Sequence, residues 1–499
     1  MTTWRRTWPD RVLLAVAILI FLATAFVIVQ RIAAARAAAD LPPGTTQTSG
    51  AEEETMFSLW RETHGLPVYC DVTQPPYAAA YFNWLFYKIY GAVIPAQSGG
   101  PGRSWSPFAG RWLTALSAVL GAVIMTGIAS PRQRRPALRI AAAALAAFLF
   151  CGPPVGWWIV TLRPDVMAMV AEAAGLLSFL AWHQTRPAQA TAAALILFYV
   201  AWALKPISLG GLIATSAFLL VHRQWRNLGV LGTGSISLWL LTLGVGSPLY
   251  RASILETAGN NVFYPAAAVH HLWHVTCLSA PFVIGLPWWL VALIKTKPWR
   301  QRSFAHDSLL LASLGAPIVT LLCSLASAKL GAAGNYFFTP ILLLGIGTVC
   351  GLWPLQRSPF APVLACTVAL VLSAGISFGV WGTLSLTPAA EQLALRWATF
   401  RQLPEPRFAS DKRLELPWLN PHSPPIVPAY NYPTDRARGR SFTDGGIGGM
   451  IEQDKFAALL LFASAGYRYD GANLSRYHQG ETVAGLTVFR LQSRGPGLP

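Results

Sequence analysis

Acidic residues are scarce: 21 Asp and Glu stand against 38 Lys and Arg in 499 residues, and charged residues of both signs make up only 12%. Soluble domains carry about a quarter charged residues. The shortage, together with 54% hydrophobic residues and apolar runs of near-bilayer length, excludes an ordinary soluble protein and indicates a polytopic membrane protein. Cysteine is sparse as well. Of six, Cys151, Cys323, Cys350 and Cys366 fall in apolar runs, where they act as small hydrophobes, leaving Cys70 and Cys277 for one disulfide at most. There is no P-loop, no Rossmann glycine pattern after a strand and no convincing DxD pair, so nucleotide and nucleotide-sugar chemistry has no footing. The net charge of +17 does not point to nucleic acid, because the basic residues sit in short clusters between apolar runs, as the positive-inside rule requires.

What is present is a series of spans. Arg5, Arg6 and Arg11 precede the run Val12 to Val29, which is too long for a signal peptide and lacks a small-residue cleavage site, so it reads as an uncleaved first span with a cytosolic amino terminus. The segment 30–110 then forms a large first outer loop. Within it, Tyr77 to Ile94 is apolar and aromatic-rich but holds Asn83 and Lys88. Were it a span, Arg132, Arg134, Arg135 and Arg139 would land on the wrong side, so it reads as an interfacial helix. Further spans are expected at Gly110 to Ala129, Ile140 to Gly152, Val166 to Trp182, Ala188 to Leu204, Ile207 to His222 and Leu228 to Val245, then Ser279 to Ile294, Ser308 to Ala326, Phe337 to Trp353 and Phe360 to Val380. That makes about eleven, with the linkers bearing Arg186, Arg223, Arg226, Lys295, Lys297, Arg300, Arg302 and Arg357 inside. After Trp381 proline and charge rise, and strand-like runs at Ile426 to Val427, Ala458 to Phe462 and Val483 to Leu491 alternate with turn signals such as Gly445-Gly446. The expected organisation is a transmembrane unit over 1–381 and a soluble α/β domain over 382–499 on the outer side of a bacterial-type plasma membrane.

Against this background the consecutive Glu52, Glu53 and Glu54, just after the first span, call for an explanation. Three adjacent acids repel one another, and the plain account is a helix N-terminus, which favours negative charge. On the same expected side, at the ends of spans, lie Arg163 and Asp165 in an Arg-Pro-Asp triplet, Lys205 before Pro206, and Lys329 ahead of Gly331-Ala-Ala-Gly-Asn-Tyr-Phe337. Charges at membrane depth are costly and usually face a cavity. Three cations beside carboxylates make a site for an anionic lipid headgroup, with the acids held back for chemistry. His270, His271 and His274 contain an i, i+4 pair, but no acid lies close in sequence to complete a zinc site.

The order of these motifs carries a resemblance. The acids Glu53 and Glu54, the aromatic Phe57, His64-Gly65-x-Pro67-x-Tyr69-x-Asp71 and Gln74-Pro75-Pro76 come first, followed by Arg163 to Asp165, Lys205-Pro206 and Gly331 to Phe337. The sequence thereby resembles the GT-C superfamily of membrane glycosyltransferases, and most of all the branch with the protein O-mannosyltransferases and the lipid A aminoarabinose transferase. The resemblance covers roughly residues 1–380 and implies transfer of a sugar from a polyprenyl-phosphate carrier to a hydroxyl of an envelope lipid, polysaccharide or protein, with inversion. It implies that an acid of the first outer loop is the base; the motif spacing puts that on Glu53, with Glu54 adjacent and Glu52 and Asp71 as further loop candidates. It also implies that Arg163, Lys205 and Lys329 hold the carrier phosphate, with Asn335 and Tyr336 lining the same cavity and Asp165 beside them. A divalent metal ion is left open. The chemistry itself asks for the same groups, a base for the incoming hydroxyl and fixed positive charge for the departing phosphate. The competing readings are a secondary transporter, against which stands the lack of an inverted repeat, and a noncatalytic envelope-assembly subunit.

Overall fold

The computed structural model describes residues 8–48, 52–96, 105–129, 136–259, 262–299, 303–329, 331–351, 360–381, 386–462 and 471–492. Seventeen helices precede a small sheet. In chain order they are α1 (Trp8–Asp40), α2 (Glu52–Thr63), α3 (Trp84–Val93), α4 (Phe108–Ala129), α5 (Pro136–Cys151), α6 (Asp165–Trp182), α7 (Pro187–Leu204), α8 (Gly210–Val221) and α9 (Trp225–Val245). There follow α10 (Pro248–Gly259), α11 (Pro265–Leu278), α12 (Ala280–Ile284), α13 (Leu286–Thr296), α14 (Phe304–Ser327), α15 (Phe338–Gly351), α16 (Phe360–Val380) and α17 (Thr387–Phe400).

Every expected apolar run coincides with a helix. Seven helical stretches, Asp10–Asp40, Phe108–Ile128, Asp165–Trp182, Pro187–Leu204, Trp225–Val245, Phe304–Ser327 and Gly334–Gly351, are long and apolar enough to cross a membrane. Another pair, Pro265–Leu278 and Ala280–Thr296, is bent by 81° at Ser279, just before Pro281 removes a backbone donor. Pro136–Cys151, Gly210–Val221 and Thr367–Val380 are apolar but shorter. Most of the basic clusters used for sidedness, Arg132, Arg134, Arg135, Arg300, Arg302 and Arg357, lie outside the described residues. One continuous apolar core runs through α1, α4 to α8 and α14 to α16. At Gly315 a Cβ would collide with Ala214, so α8 and α14 meet there with no room for a side chain.

The aromatic segment 77–94 differs from expectation. Only Trp84–Val93 is helical, started by Asn83, whose side chain accepts from the Trp84 N–H at 3.0 Å. The stretch before it is not helical, with Tyr77 at a positive φ of 59°, and it accepts backbone bonds from the far end of the chain: Val427 N–H donates to Pro76 O at 3.0 Å and Ala429 N–H to Tyr77 O at 2.7 Å. Ile426 and Val427, expected as a strand, are spent on this pairing, and Tyr77 is fully buried among Phe408, Tyr432 and Phe442. The C-terminal sheet has the order β1-β2-β4-β3, with β1 (Arg407–Ala409) parallel to β2 (Ala458–Phe462), and β4 (Leu486–Leu491) antiparallel to both β2 and β3 (Tyr477–Val483). Residues 483–491 are therefore not a single strand. Ala484 and Gly485 both take positive φ, 47° and 78°, the conformation of a two-residue hairpin turn. The turn at Gly445-Gly446 is present, with φ of 73° and 75°. Cys70 and Cys277 are both free thiols.

Candidate active site

Glu52, Glu53 and Glu54 form the first turn of α2, where the exposed N–H groups of the helix favour negative charge, but the three carboxylates have different surroundings. Glu52 is fully buried. It accepts from the Thr48 hydroxyl at 2.9 Å and the Leu162 N–H at 2.8 Å, and Arg111 of α4 lies 3.4 Å away. Its role is therefore structural: it clamps α2 to the backbone one residue before Arg163, so that the acidic turn and the Arg-Pro-Asp triplet are neighbours. Glu54 is also fully buried and is held by Lys412 Nζ at 2.6 Å. Lys412 follows β1, so the C-terminal segment contributes directly to this site. Tyr81 sits against Glu54, and burial with that negative charge raises its ionisation well above the ordinary tyrosine range.

Glu53 differs from both neighbours in having neither an ion pair nor a hydrogen bond to another residue among the described residues. It is partly buried, and its Oε2, like that of Glu54, is enclosed without a hydrogen-bond partner. Burial raises its pKa; Lys412 opposes that shift, Glu54 adds to it, and Arg413 opposes it weakly. An enclosed carboxylate with a raised pKa and an unoccupied oxygen is what a general base needs.

The second half of the site is built on Asp165, the first residue of α6, which is 2% exposed. Lys205, at the C-terminal end of α7, forms an ion pair with its Oδ1, and Asn335 Nδ2 donates to the same oxygen at 2.7 Å. Arg163 Nε lies 3.5 Å from Oδ2. The Arg163 guanidinium is stacked between Trp158, at 4.8 Å, and Phe82, at 5.3 Å, and its side chain retains 16% exposure against 1% for Asp165. Tyr336 lies between two lysines, with Lys205 5.3 Å and Lys329 5.4 Å from its ring centre. Three cations and one carboxylate thus lie close together, linked through Asp165 and Tyr336, leaving formal charge of the sign that an incoming phosphate requires.

The expected residues Glu52, Glu53, Glu54, Arg163, Asp165, Lys205, Lys329, Asn335 and Tyr336 fall into these two adjoining groups. Phe82 joins them: it stacks on Arg163, and its N–H donates to the Tyr87 hydroxyl, which lies near Glu54. Asp71 stands apart, closing a local turn by accepting from the Thr73 N–H at 2.9 Å and hydroxyl at 2.7 Å. Sequence reasoning missed Lys412, Arg413, Tyr81 and Trp158. Of these only Trp158, in the aromatic pair just before the Arg-Pro-Asp triplet, carried any local signal. It also missed Glu172, seven residues after Asp165 on the same face of α6, which accepts from the Gly211 N–H at 3.0 Å and binds the Thr339 hydroxyl, tying α6 to α8 and α15. Lys412 pairs with one oxygen of Glu54, and no group of three or more His, Cys, Asp or Glu arranged for a metal occurs among the described residues. His270 and His274 stack on each other with centres 6.3 Å apart, and His271 Nδ1 faces Ser327 O at 3.3 Å.

At the level of sequence, no family model and no curated relative matches the chain. Solved structures do. ArnT from Cupriavidus metallidurans bound to undecaprenyl phosphate superimposes with a TM-score of 0.56 at 15% identity, over 96% of this chain and 99% of that one. The apo state of the same protein gives 0.53 at 16% identity, over 95% and 97%. The fold, over nearly the whole chain, is that of these ArnT structures.

Proposed function

We propose that this chain is an inverting glycosyltransferase that moves a sugar from a polyprenyl-phosphate carrier to a hydroxyl group of an envelope acceptor, at the outer face of a bacterial-type plasma membrane. The observation that carries this reading is the adjacency of a partnerless, enclosed carboxylate, Glu53, to a cation cluster organised by Asp165, with Glu52 bonded across the seam at 2.8 Å. Glu53 takes the acceptor proton as the oxygen attacks the anomeric carbon. Arg163, Lys205 and Lys329 receive the negative charge that develops on the departing phosphate. The GT-C fold supports the reading, as does the undecaprenyl phosphate seen in the similar ArnT structure.

Glu54 has a different task. Its Lys412 partner fixes it in place, so it holds the C-terminal segment against α2 beside Glu53. Asn335 positions Asp165, and Tyr336 separates the two lysines.

The assay is direct. The full-length protein in proteoliposomes, supplied with polyprenyl-phosphate sugars extracted from the host and with host envelope material, should release free polyprenyl phosphate in step with sugar incorporation. Sugar incorporation without carrier release, or from a nucleotide sugar in place of the lipid, would refute the donor assignment.

A further inference from the structure

A second concavity lies at the other end of α2 from the acids. It has a volume of about 580 Å³ and is walled by Trp60, Trp105, Trp397 and Trp418, with His64 and Asp40 also lining it. Four of the chain's 20 tryptophans meet here, from the end of α2, the start of the segment leading into α4, α17 and the loop after β1. Their rings are mutually inclined and do not close into a solid core. Trp105 and Trp418 centres are 4.6 Å apart, Trp60 and Trp418 are 6.4 Å apart, and His64 lies 4.5 Å from Trp60.

The polar lining supplies the second observation. His64 and Asp40 are both exposed and line the same concavity as the tryptophans. A saccharide matches this combination better than an alkyl chain does, because pyranose rings offer flat C–H faces to aromatic rings and hydroxyl groups at their edges to an imidazole and a carboxylate.

The placement connects this concavity to the candidate base. Trp60 is seven residues after Glu53, hence on the same face of α2 and about 10 Å further along the axis. The loop after β1 runs beside α2 in step with it: Lys412 pairs with Glu54 at one end, and Trp418 meets Trp60 at the other. An extended chain of sugars lying on the tryptophans would therefore direct one end toward Glu53.

We infer that the concavity walled by Trp60, Trp105, Trp397 and Trp418 binds the glycan portion of the acceptor, making the acceptor a saccharide or glycolipid, not a protein. This rests on the transferase reading above and adds the class of acceptor to it. The test uses the purified full-length protein, whose tryptophan fluorescence is titrated with water-soluble oligosaccharides released from the host envelope by mild acid. Saturable quenching is expected. Trp60→Leu and Trp397→Leu, at the less buried walls, should each weaken the apparent Kd by about tenfold, the equivalent of about 1.4 kcal/mol.

Flat titrations of the folded wild type, an unchanged Kd in both tryptophan variants, or quenching by envelope peptides in place of oligosaccharides would overturn the inference. The two readings fail separately. Tryptophan-dependent glycan binding in a protein that releases no polyprenyl phosphate would remove the transferase and keep the glycan site. Glu53-dependent transfer with no oligosaccharide binding would do the reverse.

Discussion

Glu53→Gln should lower the rate of sugar transfer by about 10²–10⁴-fold, the usual contribution of a positioned general base, while leaving the protein folded and donor affinity nearly unchanged. The substitution preserves shape and removes only the capacity to accept a proton. Stability should change little, because no partner of the Glu53 Oε2 is lost. A pH dependence follows from the same carboxylate. Its pKa is raised, mainly by burial, so the base becomes protonated at a pH above the usual carboxylate range. Transfer by the wild type should then be fully developed at alkaline pH and fall as pH drops through that raised value. The residual rate of Glu53→Gln should lack this acid limb. Glu54→Gln is the contrast. It breaks the 2.6 Å pair with Lys412 and should reduce stability more than Glu53→Gln does, with transfer falling in proportion to the folded fraction. Full activity in Glu53→Gln alongside loss in a well-folded Glu54→Gln would move the base by one residue.

Lys205→Ala should have two separable consequences. It strands Asp165, which is 2% exposed, without its ion-pair partner, and breaking a buried pair from one side costs about 3–5 kcal/mol. It also removes a cation from the cluster proposed to receive phosphate, so the KM for the polyprenyl-phosphate donor should rise while that for the acceptor stays put. Combining Lys205→Ala with Asp165→Asn distinguishes the two effects. The neutral amide keeps a hydrogen-bonding group for Asn335 and no longer needs a counter-charge, so the double variant should recover most of the lost thermal stability. Donor use should remain impaired. Recovery of both together would mean that Lys205 acts only by supporting Asp165.

The helices and the cation cluster were legible in the sequence for one physical reason: each is signalled locally. An apolar run must be buried or face lipid whatever surrounds it, and a charge at the end of such a run is too costly to be incidental. Arg163, Lys205 and Lys329 could thus be grouped before any geometry was known, Asn335 being added by the resemblance alone, and Asp165 binds Arg163, Lys205 and Asn335.

Long-range pairings were not legible. Lys412 lies 358 residues from Glu54, and nothing near it distinguishes it from a solvated lysine. The three glutamates look equivalent in sequence because their differences come from Leu162 and Lys412, both supplied by tertiary packing. The helix expected over Tyr77 to Ile94 was half right for a similar reason. Its aromatic composition suits either state, and pairing with the backbone of Val427 and Ala429 keeps Pro76 and Tyr77 out of the helix. Asp71 looked functional in the motif but is satisfied by Thr73, two residues away.

The central claim, that this chain glycosylates an envelope component through Glu53, is tested most directly by mass spectrometry of envelope lipids and glycans from three strains: wild type, a strain lacking the gene, and that strain carrying the Glu53→Gln protein at wild-type abundance. One glycan or glycolipid should lose the mass of a single kind of sugar in the gene-less strain and fail to regain it with Glu53→Gln, while the unused polyprenyl-phosphate sugar accumulates. Identical envelope profiles in all three strains, or full restoration by Glu53→Gln, would contradict it.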